Sequence, residues 1–129
     1  MENLISQVRE SGAKLTNPRK LILKKLTQMN KPLTLKEIHD ECGNIDFASV
    51  YRSIKLFNEI GIVSEINFAD NKIRYELSTS RHHHHIICSE CGEIKELPIC
   101  VLSEIETLTD YTITKHNLEF MGLCPKCKK

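Results

Sequence analysis

The chain reads as an α+β protein in two parts, a winged helix-turn-helix domain over residues 1–77 and a small metal-stapled domain over residues 78–129. Three observations predict this. Apolar residues recur at helical spacing, with capping signals, as far as Ile60. Two alternating strands then flank the turn Ala69-Asp70-Asn71. Finally Cys88-Ser-Glu-Cys91 and Cys124-Pro-Lys-Cys127 form two close pairs, the first directly after His82-His-His-His85. Thiolate and imidazole are the ligands of zinc, ferrous iron, nickel and cobalt, so a metal must enter any functional reading.

Leu4, Ile5 and Val8 share one face of a short opening helix that Gly12 ends. Thr16-Asn17-Pro18 supplies a cap and a first-turn proline for a second helix carrying Leu21, Ile22 and Leu26. Thr34-Leu-Lys-Glu37 is a capping-box pattern opening a third helix, which Gly43 closes. In a fourth, Asp46 is the expected N-cap and Val50, Ile54 and Phe57 form the apolar back. Ala48, Arg52 and Lys55 face away, with Tyr51 at the margin. Strands at residues 62–68 and 72–77 complete the winged unit.

A helix with a greasy back and a front of Arg, Lys, Tyr and small residues suits a DNA major groove. Between Ser11 and Lys36 the chain has seven basic residues and no acidic one, a phosphate-facing composition. The competing reading of both features is a solvated face on a small packed domain.

In the second half, alternation along a strand would send His83 and His85 to one side and His82 and His84 to the other. Two Cys-x-x-Cys knuckles give a closed tetrahedral S₄ zinc site with no open position, which is structural. The rival, a redox Cys-x-x-Cys, requires a βαβ context that the pattern lacks. A histidine tag would sit at a terminus, and this run is internal. Cys42 and Cys100 are left over and read as ordinary free, buried cysteines.

At 129 residues, two small domains each have a marginal core, so a metal staple contributes materially to folding. Hydrophobic residues make up 40% and charged residues 27%, the balance of an ordinary ordered protein. No membrane-spanning run and no secretory leader is apparent, so the expectation is a cytoplasmic protein, where thiols stay reduced and paired cysteines more often bind metal.

Lys14-Leu-Thr-Asn-Pro-Arg19, Ala48-Ser-Val-Tyr-Arg52, Arg74-Tyr-Glu-Leu77, His82-His-His-His-Ile-Ile-Cys-Ser-Glu-Cys-Gly92 and Cys124-Pro-Lys-Cys127 together resemble the successive signatures of ferric uptake regulator family repressors. The resemblance implies a homodimer with a C-terminal α/β dimerisation domain and metal-dependent binding to AT-rich palindromic operators in double-stranded DNA. It implies DNA contacts from Lys14, Arg19, Ser49, Tyr51, Arg52 and Lys55. Tyr51 and Arg52 would touch bases, and Lys14 would reach a minor groove. Cys88, Cys91, Cys124 and Cys127 would hold structural Zn²⁺. Glu76, His83, His85 and Glu96 would hold a regulatory ion, Fe²⁺ first, with Mn²⁺, Zn²⁺ and Ni²⁺ as alternatives. His82, His84 and His116 match an additional metal position of some members.

Two departures stand out. The histidine that such repressors usually place before the third helix is absent from Asn30-Lys-Pro-Leu-Thr34, leaving His39 or another group to replace it. The stretch from Glu96 to Cys124 is also short, so the helix around Val101 to Leu108 should be brief. Zinc-sensing relatives place a cysteine near Ser78-Thr-Ser80, and peroxide-sensing relatives favour Asp at the position of Glu96. Iron-uptake control is therefore the first reading and peroxide sensing the second. A zinc-dependent nucleotide-modifying enzyme would require His-x-Glu with Pro-Cys-x-x-Cys, which this chain lacks. A metal-storage module would leave the Tyr51 and Arg52 helix unexplained. The expectation is therefore a regulator rather than an enzyme.

Overall fold

The computed structural model describes residues 1–78 and 82–128. One compact unit comprises Met1–Ile66 and Ile73–Ser78; a second comprises Asn67–Lys72 with the described residues from His82 onward.

The first unit holds four helices, α1 (Glu2–Glu10), α2 (Asn17–Met29), α3 (Leu35–Cys42) and α4 (Phe47–Glu59), and a hairpin of β1 (Val63–Asn67) and β2 (Ile73–Leu77). One apolar residue set from each helix meets in a single core. Val8, Ile22, Leu23, Ile38, Val50, Ile54 and Phe57 are essentially inaccessible to water. The start of α2 is set by Thr16, whose Oγ1 accepts from the Arg19 amide at 3.4 Å, and its end by Asn30 in the left-handed region. α3 opens with both halves of a capping box: the Glu37 amide donates to Thr34 Oγ1 at 3.1 Å and the Thr34 amide to Glu37 Oε1 at 2.8 Å. Thr34→Ala should lower stability by about 1 kcal/mol, read as a shifted urea midpoint at unchanged slope.

Two details differ from the sequence reading. Asp46 occupies the N-cap of α4, but its carboxylate bonds no helix amide; Oδ1 accepts from the Ser49 hydroxyl at 2.5 Å instead. That bond holds the Asp46 carboxyl below the usual carboxylate range. The wing is also wider than a two-stranded hairpin, because Leu33 exchanges backbone hydrogen bonds of 2.9 and 2.8 Å with Tyr75. The connection between α2 and α3 is thereby clamped to β2.

The second unit is a three-stranded sheet in the order β4-β3-β5, from β3 (His84–Cys88), β4 (Ile94–Leu97) and β5 (Phe120–Gly122), with α5 (Leu102–Glu106) between β4 and β5. β4 is antiparallel to β3, and β5 is parallel to it. α5 has only five residues, in keeping with the short stretch between Glu96 and Cys124. Large apolar side chains stay uncovered here, among them Ile99 at 73%, Leu108 at 79% and Tyr111 at 84% exposure. None of the described helices is long and apolar enough to cross a membrane.

Candidate metal centres and nucleic-acid interface

The two cysteine knuckles converge. The ligand atoms of Cys88, Cys91, Cys124 and Cys127 all lie within 4.8 Å of one another, with Cys91 Sγ to Cys124 Sγ at 3.8 Å. A tetrahedral zinc with Zn–S bonds of about 2.3 Å has S···S edges of about 3.8 Å, so the set has the size of a zinc site. The parallel pairing of β3 and β5 explains the meeting, since it puts Cys88 beside Gly122 and carries the second knuckle up to the first. The amides of Cys91 and Cys124 point at Cys88 Sγ, the latter at 3.4 Å, and draw that thiol down to about 6. Hydrogen bonding with Cys124 and Cys88 pushes Cys127 up to about 12. Four thiolates at this separation repel, and a divalent cation is what stabilises them together.

The histidine run divides by alternation even though β3 begins only at His84. The rings of His83 and His85 lie 4.8 Å apart, and those of His82 and His84 4.7 Å apart. On the first side, the antiparallel register sets His85 opposite Glu96. Glu96 Oε1 stands 3.4 Å from His83 Nδ1. His83 and His85 are largely buried while Glu96 is open to solvent, and the Phe68 ring, 5.3 Å from the His85 ring, covers the site from the wing tip. Glu76 is half-buried on β2.

On the other side His82, His84 and His116 come together. The structure adds a member that the sequence reading left as an ordinary buried cysteine. Cys100, only half-buried, has Sγ 3.4 Å from His116 Nε2. Cys42 is a buried core residue of the first unit. Burial and the neighbouring His82 and His116 rings lower the pKa of His84, which favours the neutral imidazole that metals bind.

A second residue missed from sequence is Glu119. It is buried between the two histidine sides, with Oε1 3.9 Å from His84 Nδ1 and Oε2 3.4 Å from His85 Nδ1. Its Oε2 also accepts from the His85 amide at 2.8 Å. A carboxylate behind a ligand histidine fixes ring orientation and leaves the other nitrogen for the ion. The only sequence signal was a Glu three residues after His116, a common spacing that carries no metal signature by itself.

In the first unit Tyr51, Arg52 and Lys55 project from α4 into solvent, opposite buried Val50, Ile54 and Phe57. Lys14 is exposed before α2, and Arg19 is anchored to the Lys14 carbonyl through Nη1. The Ser49 hydroxyl is engaged by Asp46. His39 packs edge-on against Phe47, ring centroids 5.7 Å apart, between α3 and α4. Thr79 and Ser80, in the neighbourhood where zinc-sensing relatives carry a cysteine, lie outside the described residues.

The sequence model of the ferric uptake regulator family matches residues 10–121. The chain belongs to this family. It is a metal-responsive transcriptional repressor of a family of dimeric DNA-binding proteins. Among curated relatives, the peroxide-responsive repressor PerR of Staphylococcus aureus is 34% identical over 99% of this chain and 91% of its own. The ferric uptake regulator of Vibrio cholerae superposes with a TM-score of 0.75 at 33% identity, covering 91% of this chain and 96% of that one. That of Francisella tularensis, solved with iron, gives a TM-score of 0.78 at 26% identity over 92% and 96%. The family membership accounts for the winged first unit and for the cysteine and histidine centres of the second, whose donors fit structural zinc and a regulatory metal.

Proposed function

We propose that the protein represses iron-uptake genes in the cytoplasm, binding an AT-rich palindromic operator as a homodimer when Fe²⁺ occupies the site of His83, His85 and Glu96, with Glu76 as the family resemblance implies. The observation that supports this most directly is the pairing of His83 with His85 on one side of the histidine run, rings 4.8 Å apart, with Glu96 Oε1 3.4 Å from His83 Nδ1. A mixed nitrogen and oxygen set suits Fe²⁺, and it also accepts Mn²⁺, Ni²⁺ or Zn²⁺. The exposed apolar residues around α5 and β5 support self-association through the second unit.

The test is an anaerobic gel-shift titration at moderate salt with and without Fe²⁺, on an AT-rich palindrome and a scrambled duplex. Fe²⁺ should tighten binding to the palindrome at least tenfold; equal affinity with and without Fe²⁺ would sink the reading. Arg52→Ala should flatten the preference for the palindrome, costing about 1–3 kcal/mol of discrimination.

The similarity to a peroxide-responsive repressor favours one second reading, release of DNA on oxidation of the Fe²⁺-loaded protein. Peroxide added to Fe²⁺-loaded and Mn²⁺-loaded protein separates the two. Loss of binding only in the iron form, with an added oxygen on a peptide carrying His83 or His85, supports peroxide sensing.

A further inference from the structure

We infer that Cys100 is the thiolate ligand of a separate N₃S metal centre with His82, His84 and His116, a centre that selects a tetrahedral, borderline-soft ion of the zinc class. It is independent of which ion the His83 side senses. A three-histidine set would take nitrogen-loving ions broadly; the thiolate narrows the choice.

The geometry carries this. His82 Nε2 stands 3.1 Å from His84 Nε2 and 2.9 Å from His116 Nε2, and Cys100 Sγ stands 3.4 Å from His116 Nε2. The four ligand atoms lie within 4.8 Å of one another. A tetrahedral zinc has N···N edges of about 3.3 Å and N···S edges of about 3.6 Å, from Zn–N near 2.0–2.1 Å and Zn–S near 2.3 Å. A hydrogen-bonded histidine cluster accounts for the spacing less well. A ring nitrogen carries either one hydrogen or one lone pair, so one hydrogen bond satisfies His82 Nε2, yet two ring nitrogens approach it. Lone pairs converging on one cation produce both contacts.

Two features of the surroundings agree. Glu119 lies on the Nδ1 side of His84, leaving Nε2 for an ion, which is how carboxylates stand behind ligand histidines. The brief α5 begins at Leu102, so Cys100 sits in the turn between β4 and that helix and reaches His116 from there.

Cobalt(II) is the probe, because a thiolate ligand adds a near-ultraviolet charge-transfer band that imidazoles do not. Chelator-washed protein carrying one zinc per chain at the four cysteines is titrated with Co²⁺, and wild type is compared with Cys100→Ser. The difference spectrum isolates the Cys100 contribution whatever cobalt does at the four-cysteine site. The wild type should take up a tetrahedral Co²⁺ with a charge-transfer band that zinc then displaces; Cys100→Ser should lose that band and bind Zn²⁺ at least tenfold more weakly. His116→Ala should lose the site too, and His83→Ala should keep it. Should Cys100→Ser misfold, the His116→Ala and His83→Ala pair still decides. An identical band in Cys100→Ser, or none in wild type, overturns the assignment, as does loss of the band in His83→Ala but not in His116→Ala.

Discussion

Replacing Cys124 by serine should unfold the C-terminal unit and dissociate the dimer, with structural zinc falling from one per chain to none. The second unit has little else to hold it. Among the described residues its sheet has three short strands, its helix a single turn or so, and its buried apolar residues are Phe68, Ile87 and Cys88. Structural zinc in small domains contributes on the order of 10 kcal/mol to folding, more than such a core supplies. Removing one sulfur leaves three thiolates facing one another without the charge balance of a closed S₄ site. The first unit, with its own core, should stay helical. Metal analysis, sedimentation and far-ultraviolet circular dichroism on one preparation check all of this. A folded, dimeric, zinc-free Cys124→Ser protein would refute the structural role of the knuckles.

His83→Ala should have an equally large effect on DNA binding and almost none on the fold. His83 lies outside the strand ladder, and its largely buried ring stands beside the solvent-exposed Glu96, so truncating it removes a metal ligand without breaking a strand pairing. Losing one ligand of a mixed imidazole and carboxylate site weakens the ion far more than it weakens the protein. On this proposal the ion would act by binding one conformation of the dimer better than others, and a lost differential affinity is a lost population shift. Zinc content, dimerisation and melting temperature should therefore match wild type while Fe²⁺ no longer tightens operator binding. A variant that still responds to Fe²⁺ at wild-type concentrations would exclude His83 from the regulatory site.

The two predictions separate the metals by what each ion is needed for. Zinc at the cysteines would stand in for a core that a unit of this size cannot build, so its loss should read out as unfolding. On the proposed assignment, an ion at His83 and His85 would bias a molecule that is already folded, so its loss should read out only in DNA affinity. A variant that failed on both counts would show that the two centres are coupled.

The amino-acid sequence was informative wherever a local rule applied. Helix starts followed from Thr16 and Thr34, because a cap satisfies amides within one turn. The apolar back of α4 followed from period alone, and so did the division of the four histidines, because alternation is a property of extended backbone before any tertiary contact forms. The cysteine spacing announced its ligand chemistry, since few other chemistries need two such knuckles. Asp46 shows the limit even of a local rule, since a neighbouring hydroxyl competed for its carboxylate.

Tertiary structure alone decided which distant residues meet. The β3–β4 register brought Glu96 opposite His85, and the approach of Glu119 to β3 from beyond α5 placed it between the two histidine sides. The turn after β4 brought Cys100 to His116, and a clamp through Leu33 tied the helices to the wing. No periodicity encodes such meetings, because they depend on how elements far apart in the chain pack and on which backbone edges pair. By itself, then, the sequence determined the helices and hairpin of the first unit, the ligand types and the family; packing determined which candidate ligands lie together.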